Sequence, residues 1–129
     1  MKTMRIKVFF IIIIILILGV ILTVASRSAS QDTSGKYDAF AQCLKDKGAT
    51  FYGSFWCSHC QSEKKLFGSS EKLLPYVECS TPDGLKQTQI CTDKKIVGYP
   101  TWEFADGTRT NGEATLETLA QKTSCTLPQ

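Results

Sequence analysis

The stretch Val8–Ala25, VFFIIIIILILGVILTVA, is eighteen residues without a charge, interrupted only by Gly19 and Thr23. A chain this short has no core in which to bury so long an apolar helix. A bilayer core is crossed by about 20 apolar residues, with roughly 17 as the lower limit. The preceding MKTMRIK carries three bases and no acid, a flank that stays in the cytoplasm. The expectation is a single-pass protein of the cytoplasmic membrane with its C-terminal part extracytoplasmic, periplasmic or at the cell surface. Two readings of residues 1–25 stay open. A cleaved signal has an apolar core of about 7–15 residues and a small-residue cleavage site, and VAS at Val24–Ser26 or SAS at Ser28–Ser30 would serve. An uncleaved anchor needs a longer run, and this run is longer. Both deliver residues 31–129 to the same side.

Removing that segment changes the charge argument. Four of the fifteen bases (Lys2, Arg5, Lys7, Arg27) precede residue 30, and all twelve acids follow it. The exported part is left with eleven bases against twelve acids. The overall +3 therefore reflects membrane topology, and no basic stripe interleaved with aromatics suggests nucleic acid. Ser26–Lys36, SRSASQDTSGK, is small, polar and aperiodic and reads as a flexible linker. Residues 37–129 are enough for one modest core. All six cysteines (Cys43, Cys57, Cys60, Cys79, Cys91, Cys125) lie there. An even number in a small exported domain suggests disulfides, but six cysteines allow fifteen pairings, and spacing does not choose among them.

The pattern along the domain alternates. Tyr37, Phe40, Ala41 and Leu44 form the stripe of a helix that Gly48 is placed to end. ATFYGSFW is a short aromatic strand, and CSHCQSEKKLF a helix stopping near Gly68. LPYVEC is a strand, PDGLKQTQICTDKK a turn and short helix, and IVGYPTWEF a loop and strand. ADGTRTNG is a hairpin with its turn at Asp106-Gly107, and Asn111-Gly112 marks the next reversal. A last helix turns Leu116, Leu119 and Ala120 inward. The expected class is α/β, a central mixed sheet flanked by helices.

The chemistry concentrates where the first strand meets its helix. In FWCSHC, Cys57 occupies the helix start. There the first-turn N–H groups are unpaired and the helix carries partial positive charge, which together favour a thiolate, the nucleophilic form of cysteine. Cys60, one turn on, is on the same side and able to attack a mixed disulfide formed at Cys57. The spacing makes Cys57 the attacking thiol and Cys60 the resolving one. His59, the chain's only histidine, can offer the Cys57 sulfur a hydrogen bond or positive charge. The plain alternative is an exposed histidine without a task.

FWCSHC, followed some forty residues later by GYPTWEF, resembles the thioredoxin superfamily. The resemblance implies a thioredoxin-like fold, a cis Pro100 facing the Cys-x-x-Cys helix, and a backbone beside Tyr99 that pairs with an extended substrate segment. Over about residues 40–125 the chain is similar to one branch, the thioredoxin-like domain fused to or encoded beside bacterial homologues of vitamin K epoxide reductase. The Cys-x-His-Cys pattern also resembles the oxidising DsbA family. By this resemblance the domain exchanges disulfides with exported cysteine-containing proteins, and a membrane partner of the vitamin K epoxide reductase type reoxidises it with a quinone. No cofactor of its own is implied, since the dithiol is the redox group. The branch also implies a structural Cys79–Cys91 disulfide, whose alternative is a second redox pair relaying electrons. Cys43 and Cys125 remain as a crosslink by elimination, against which stands the expectation that first and last helices lie on opposite faces. Free thiols or an intermolecular bridge are the alternatives.

The chain departs from the pattern in two places. Ser58 stands where these families commonly have proline, which leaves the redox poise open. Thioredoxins keep a buried acid six residues before the first cysteine, and here that residue is Phe51. This weakens a reductase role and leaves Glu63, water or another group to move the proton of the resolving thiol. Phe51, Tyr52, Phe55 and Trp56 read as core and cleft lining, with Trp56 shaping an apolar docking surface. Trp102 reads as core, and Lys64, Lys65 and Glu103 as solvated surface. Zinc is disfavoured because a structural site usually needs a second Cys-x-x-Cys-like knuckle. The rival of another class is a membrane-anchored binding or chaperone module with structural disulfides, and within the enzyme class oxidase, reductase and isomerase directions compete.

Overall fold

The computed structural model describes residues 6–9, 11–18 and 35–129. The chain divides into two units, Met1–Thr33 and Ser34–Gln129. In the first, residues 6–9 and 11–18 are helical, with Ile15 and Leu16 more than half exposed. Among the described residues no helix is long and apolar enough to cross a membrane. The remainder of the expected anchor and nearly all of the expected linker lie outside the described residues.

The second unit begins with α1 (Asp38–Asp46), β1 (Thr50–Gly53) and α2 (Ser58–Leu66). A 3-10 helix (Gly68–Leu73), β2 (Tyr76–Glu78) and α3 (Gln89–Asp93) follow. The chain closes with β3 (Thr101–Glu103), β4 (Arg109–Asn111) and α4 (Leu116–Thr123). The strands form one mixed sheet in the order β2-β1-β3-β4. β1 runs parallel to β2 and antiparallel to β3, and β3 pairs antiparallel with β4.

Side chains alternate across a strand, so the sheet has two faces. Phe51 sits in register with Tyr76 and Trp102; Phe51 and Trp102 belong to a core built with Phe40, Ala41 and Leu44 of α1, Cys60 of α2, Leu119 of α4 and Phe67, and Tyr76 packs against it half-buried. Phe51 stacks on Trp102 at 4.9 Å between ring centroids, and Phe40 on Phe67 at 5.9 Å. Fully burying a side chain of this kind stabilises by about 1.5–3 kcal/mol. On the other face Tyr52 packs with Cys79, Cys91 and Ile96. α1 ends as its stripe requires: Gly48 takes φ 74°, which lets the Ala49 N–H donate to the Leu44 carbonyl. α4 opens on Thr115, whose hydroxyl accepts the Thr118 N–H at 3.1 Å.

Two disulfides close the domain. Cys43 and Cys125 are bonded across Cα atoms 6.0 Å apart, and Cys79 and Cys91 across 5.5 Å. The expectation that first and last helices lie on opposite faces is corrected here. Phe40 and Leu44 of α1 and Leu119 of α4 fill the same core, which brings Cys125, just past α4, against Cys43. The second helix ends at Leu66 with Phe67 as its C-cap, next to the expected stop near Gly68, and the chain tightens into the 3-10 turn before β2.

Candidate functional site

β1 carries its chain out of the core, and Ser54-Phe55-Trp56 turns it into α2. The turn is closed by the Cys57 N–H donating to the Ser54 carbonyl at 3.1 Å. Cys57 is the N-cap residue, with extended backbone and no side-chain cap, so no side chain caps the first-turn N–H groups beside it. Cys57 and Cys60 are both buried, at 8% and 0% exposure, and both are free thiols. The remaining four cysteines are bonded. The Cys57 thiol donates to the Tyr99 carbonyl oxygen at 3.7 Å, and the Tyr99–Pro100 peptide bond is cis. Pro100 is itself fully buried. The Cys57 sulfur thus lies between the start of α2 and the loop that leads into β3.

Cys60 lies deeper. Burial pushes its thiol up to about 12, helped by the neighbouring Cys57 and the charge of Glu63, while a hydrogen bond from the Ser54 backbone opposes them. The approach is tight. A Cβ on Gly53 would lie 3.0 Å from the Cys60 sulfur and 2.8 Å from Tyr76 Cε2, so only glycine allows β1 to pass this close to α2. Tyr76 donates its hydroxyl to Glu78 Oε2 at 2.8 Å, and Glu78 Oε1 accepts from the N–H groups of Phe55 and Ser80. Glu78 thereby ties the turn before Cys57 to the end of β2.

Glu63, three residues beyond Cys60, is fully buried. Its Oε1 accepts the Trp102 indole N–H at 2.6 Å and the Ala114 N–H at 3.1 Å. Its Oε2 is buried with no hydrogen-bond partner among the described residues. Burial raises this carboxyl to about 7; the two donors hold it down, and the charge of Glu113 adds to the rise.

His59 is exposed and held by Glu113. Its Nδ1 is 2.6 Å from Glu113 Oε1, with the imidazole 71% exposed. Phe55 and Trp56 lie past the end of β1, 48% and 56% exposed. The reason is local, since Ser54 ends the strand and both aromatics belong to the turn. Trp56 anchors its indole N–H on Ser80 Oγ at 2.9 Å and meets Tyr99 edge to face at 5.9 Å. Trp56, Tyr99 and Cys57 are therefore neighbours, whereas His59 belongs to the α4 side. Lys64 lies over the Tyr76 ring at 3.4 Å. Glu103 is only 17% exposed and pairs with Lys94 and Arg109, a more structured place than the solvated surface its type suggested. Sequence reasoning passed over Gly53, Tyr76, Glu78 and Glu113. Of these, only Gly53 carried a local signal, a glycine inside a strand.

No family model matches the chain. It is similar to a curated protein of Arabidopsis thaliana named thiol-disulfide oxidoreductase LTO1, with 46% identity over 96 residues. The match covers 70% of this chain and 25% of that protein, so the chain spans about a quarter of the length of this relative.

Proposed function

We propose that the chain is a thiol–disulfide oxidoreductase with a thioredoxin-like domain, working through Cys57 and Cys60 on exported cysteine-containing proteins. The carrying observation is the contrast among the cysteines. Four are bonded in two crosslinks, while the pair at the start of α2 is unbonded and its first member faces the cis Tyr99–Pro100 loop. The likeness to a relative named for this activity supports the same reading.

In the oxidising direction a substrate thiolate attacks Cys57 Sγ in the Cys57–Cys60 disulfide. A substrate–Cys57 bond forms, the Cys57–Cys60 bond breaks, and Cys60 leaves with the electron pair and takes up a proton. A second substrate thiolate then attacks the substrate sulfur. It releases Cys57, so the substrate loses two electrons and the pair gains them. Trp56 and Tyr99 flank the substrate segment at Cys57, and His59 adjusts the helix start from its seat on Glu113.

The oxidising direction rests on the Cys-x-His-Cys pattern and on two further disulfides in one small domain, which suit an oxidising compartment. Tethering rests on the apolar run at Val8–Ala25. Reoxidation by a quinone-using membrane partner of the vitamin K epoxide reductase type rests on the branch resemblance.

Equilibration of the pair with glutathione tests the proposal. A reduction potential near about −120 mV supports disulfide insertion, whereas about −270 mV makes the domain a reductase. Failure to exchange, with Cys57→Ser/Cys60→Ser retaining all function, replaces the enzyme with a binding module.

A further inference from the structure

A resolving thiol must give up its proton as it attacks, and Cys60 is walled in. The Ser54 N–H donates to it, Cys57 adjoins it, and the nearby Tyr76 hydroxyl is committed to Glu78. One acid shares its surroundings. Cys60 and Glu63 are the two buried residues of α2, three apart and so adjacent on one helix face. Among the described residues Glu63 is the one carboxylate in the buried set. Its position is set by three elements: the backbone of α2, the Trp102 indole from β3 and the Ala114 N–H before α4. These two donors engage Oε1 alone and leave Oε2 buried without a partner. A buried acceptor without a donor calls for an explanation, and an acidic side chain beside the deeper thiol supplies one.

We propose that Glu63 is the proton acceptor and donor for Cys60, a role that rests on the Cys57–Cys60 exchange proposed above. In resolution, the Cys60 sulfur attacks Cys57 Sγ in a substrate–Cys57 mixed disulfide. The Cys57–Cys60 bond forms, the substrate sulfur leaves with the electron pair, and the Cys60 proton passes to Glu63 carboxylate. In the reverse direction the Glu63 carboxyl returns a proton to the departing Cys60 thiolate. A carboxyl raised to about 7 is populated in both forms at neutral pH, as an acid–base group needs. The titratable groups facing it are Cys60 on its own helix and Glu113 before α4, the latter paired with His59. Phe51, at the position where thioredoxins place their acid, stacks instead on Trp102, the same indole that holds Glu63.

The test uses the full chain in mild detergent, its active pair selectively reduced, reacting with an aromatic disulfide whose leaving thiolate is coloured. The first thiolate released reports attack by Cys57, the second resolution by Cys60. Glu63→Gln keeps an acceptor for Trp102 and Ala114 but cannot ionise. The expected result is an unchanged first phase, a second phase slowed on the order of 100-fold at pH 7, and loss of its inflection near pH 7, with part of the rate and the inflection restored in Glu63→Asp. A second measurement does not depend on the folding of Glu63→Gln. With Trp56→Phe leaving Trp102 as the reporter, indole fluorescence should titrate at the same pH as the second phase. A second phase of unchanged rate and pH profile in Glu63→Gln overturns the role of Glu63 alone, as does a fluorescence titration that departs from the kinetic one. Absence of a first phase in the unmodified protein overturns the exchange chemistry and this role with it.

Discussion

The carboxyl of Glu63 makes a quantitative claim on stability. In the unfolded chain it ionises near its ordinary value of 4.5, and in the fold at about 7. Between these values the unfolded state has released a proton that the native state keeps, so stability falls as pH rises. The effect is absent below about pH 4.5 and complete above about pH 7. The displacement of roughly 2.5 in pKa amounts to about 3 kcal/mol at 1.36 kcal/mol per unit. In Glu63→Gln this contribution vanishes, while Trp102 and Ala114 keep an oxygen to donate to. Urea unfolding of the full chain and the variant, in mild detergent and with the active pair reduced, should be followed from pH 4.5 to 8. Groups that do not interact with Glu63 are common to both proteins and cancel in the difference. The variant should gain about 3 kcal/mol relative to the unmodified protein across the interval. Parallel curves, with no change in the difference between pH 4.5 and pH 8, would refute the assignment of a raised pKa to this buried carboxyl.

Other consequences follow from the same packing. Gly53→Ala forces a methyl to within 3.0 Å of the Cys60 sulfur and 2.8 Å of the Tyr76 ring, and overpacking of this kind should cost about 1–3 kcal/mol in urea unfolding. Trp102→Phe removes one of the two donors that hold the Glu63 carboxyl down, so the inflection in resolution rate should move to higher pH. Replacing Cys43 and Cys125 by serine opens a crosslink with a sequence separation of 82, against 12 for Cys79 and Cys91. In the chain-entropy model the first pair should cost about 4.5 kcal/mol and the second about 3, an order that denaturant midpoints can check.

Much of the fold could be read from local pattern, because a stripe or an alternation reports which side of an element is buried. The stripe Phe40, Ala41, Leu44 and the stop at Gly48 are found in α1 as written, and the turn at Asp106-Gly107 joins β3 to β4. The same patterns do not say what lies opposite a buried side chain. Glu63 meets Trp102 across 39 residues, and nothing near either residue announces the other. The Cys43–Cys125 bond depends on both end helices sharing one face of the sheet, a property of how the chain winds rather than of either helix. The strand expected over ATFYGSFW overran its end for a different reason. Six apolar or small residues in a row look like one strand, but the chain must leave the sheet at Ser54 to start α2 with Cys57, and the last two aromatics go with the turn. At the candidate site the cysteine spacing and the proline were visible as motifs. The contacts that constrain Gly53, from α2 and β2, and the brace from Glu78 come from other elements and were not.

The two crosslinks also decide what a protease can do to this molecule. Leu85, 80% exposed, lies in the turn before α3, inside the segment bounded by Cys79 and Cys91 and inside the longer one bounded by Cys43 and Cys125. A cut there severs the backbone but leaves the two pieces joined twice, as nested rings hold a broken link. A nicked chain would run as a single species on a gel until it was reduced, with α2 and its cysteine pair still fastened to the strand and helix that frame them.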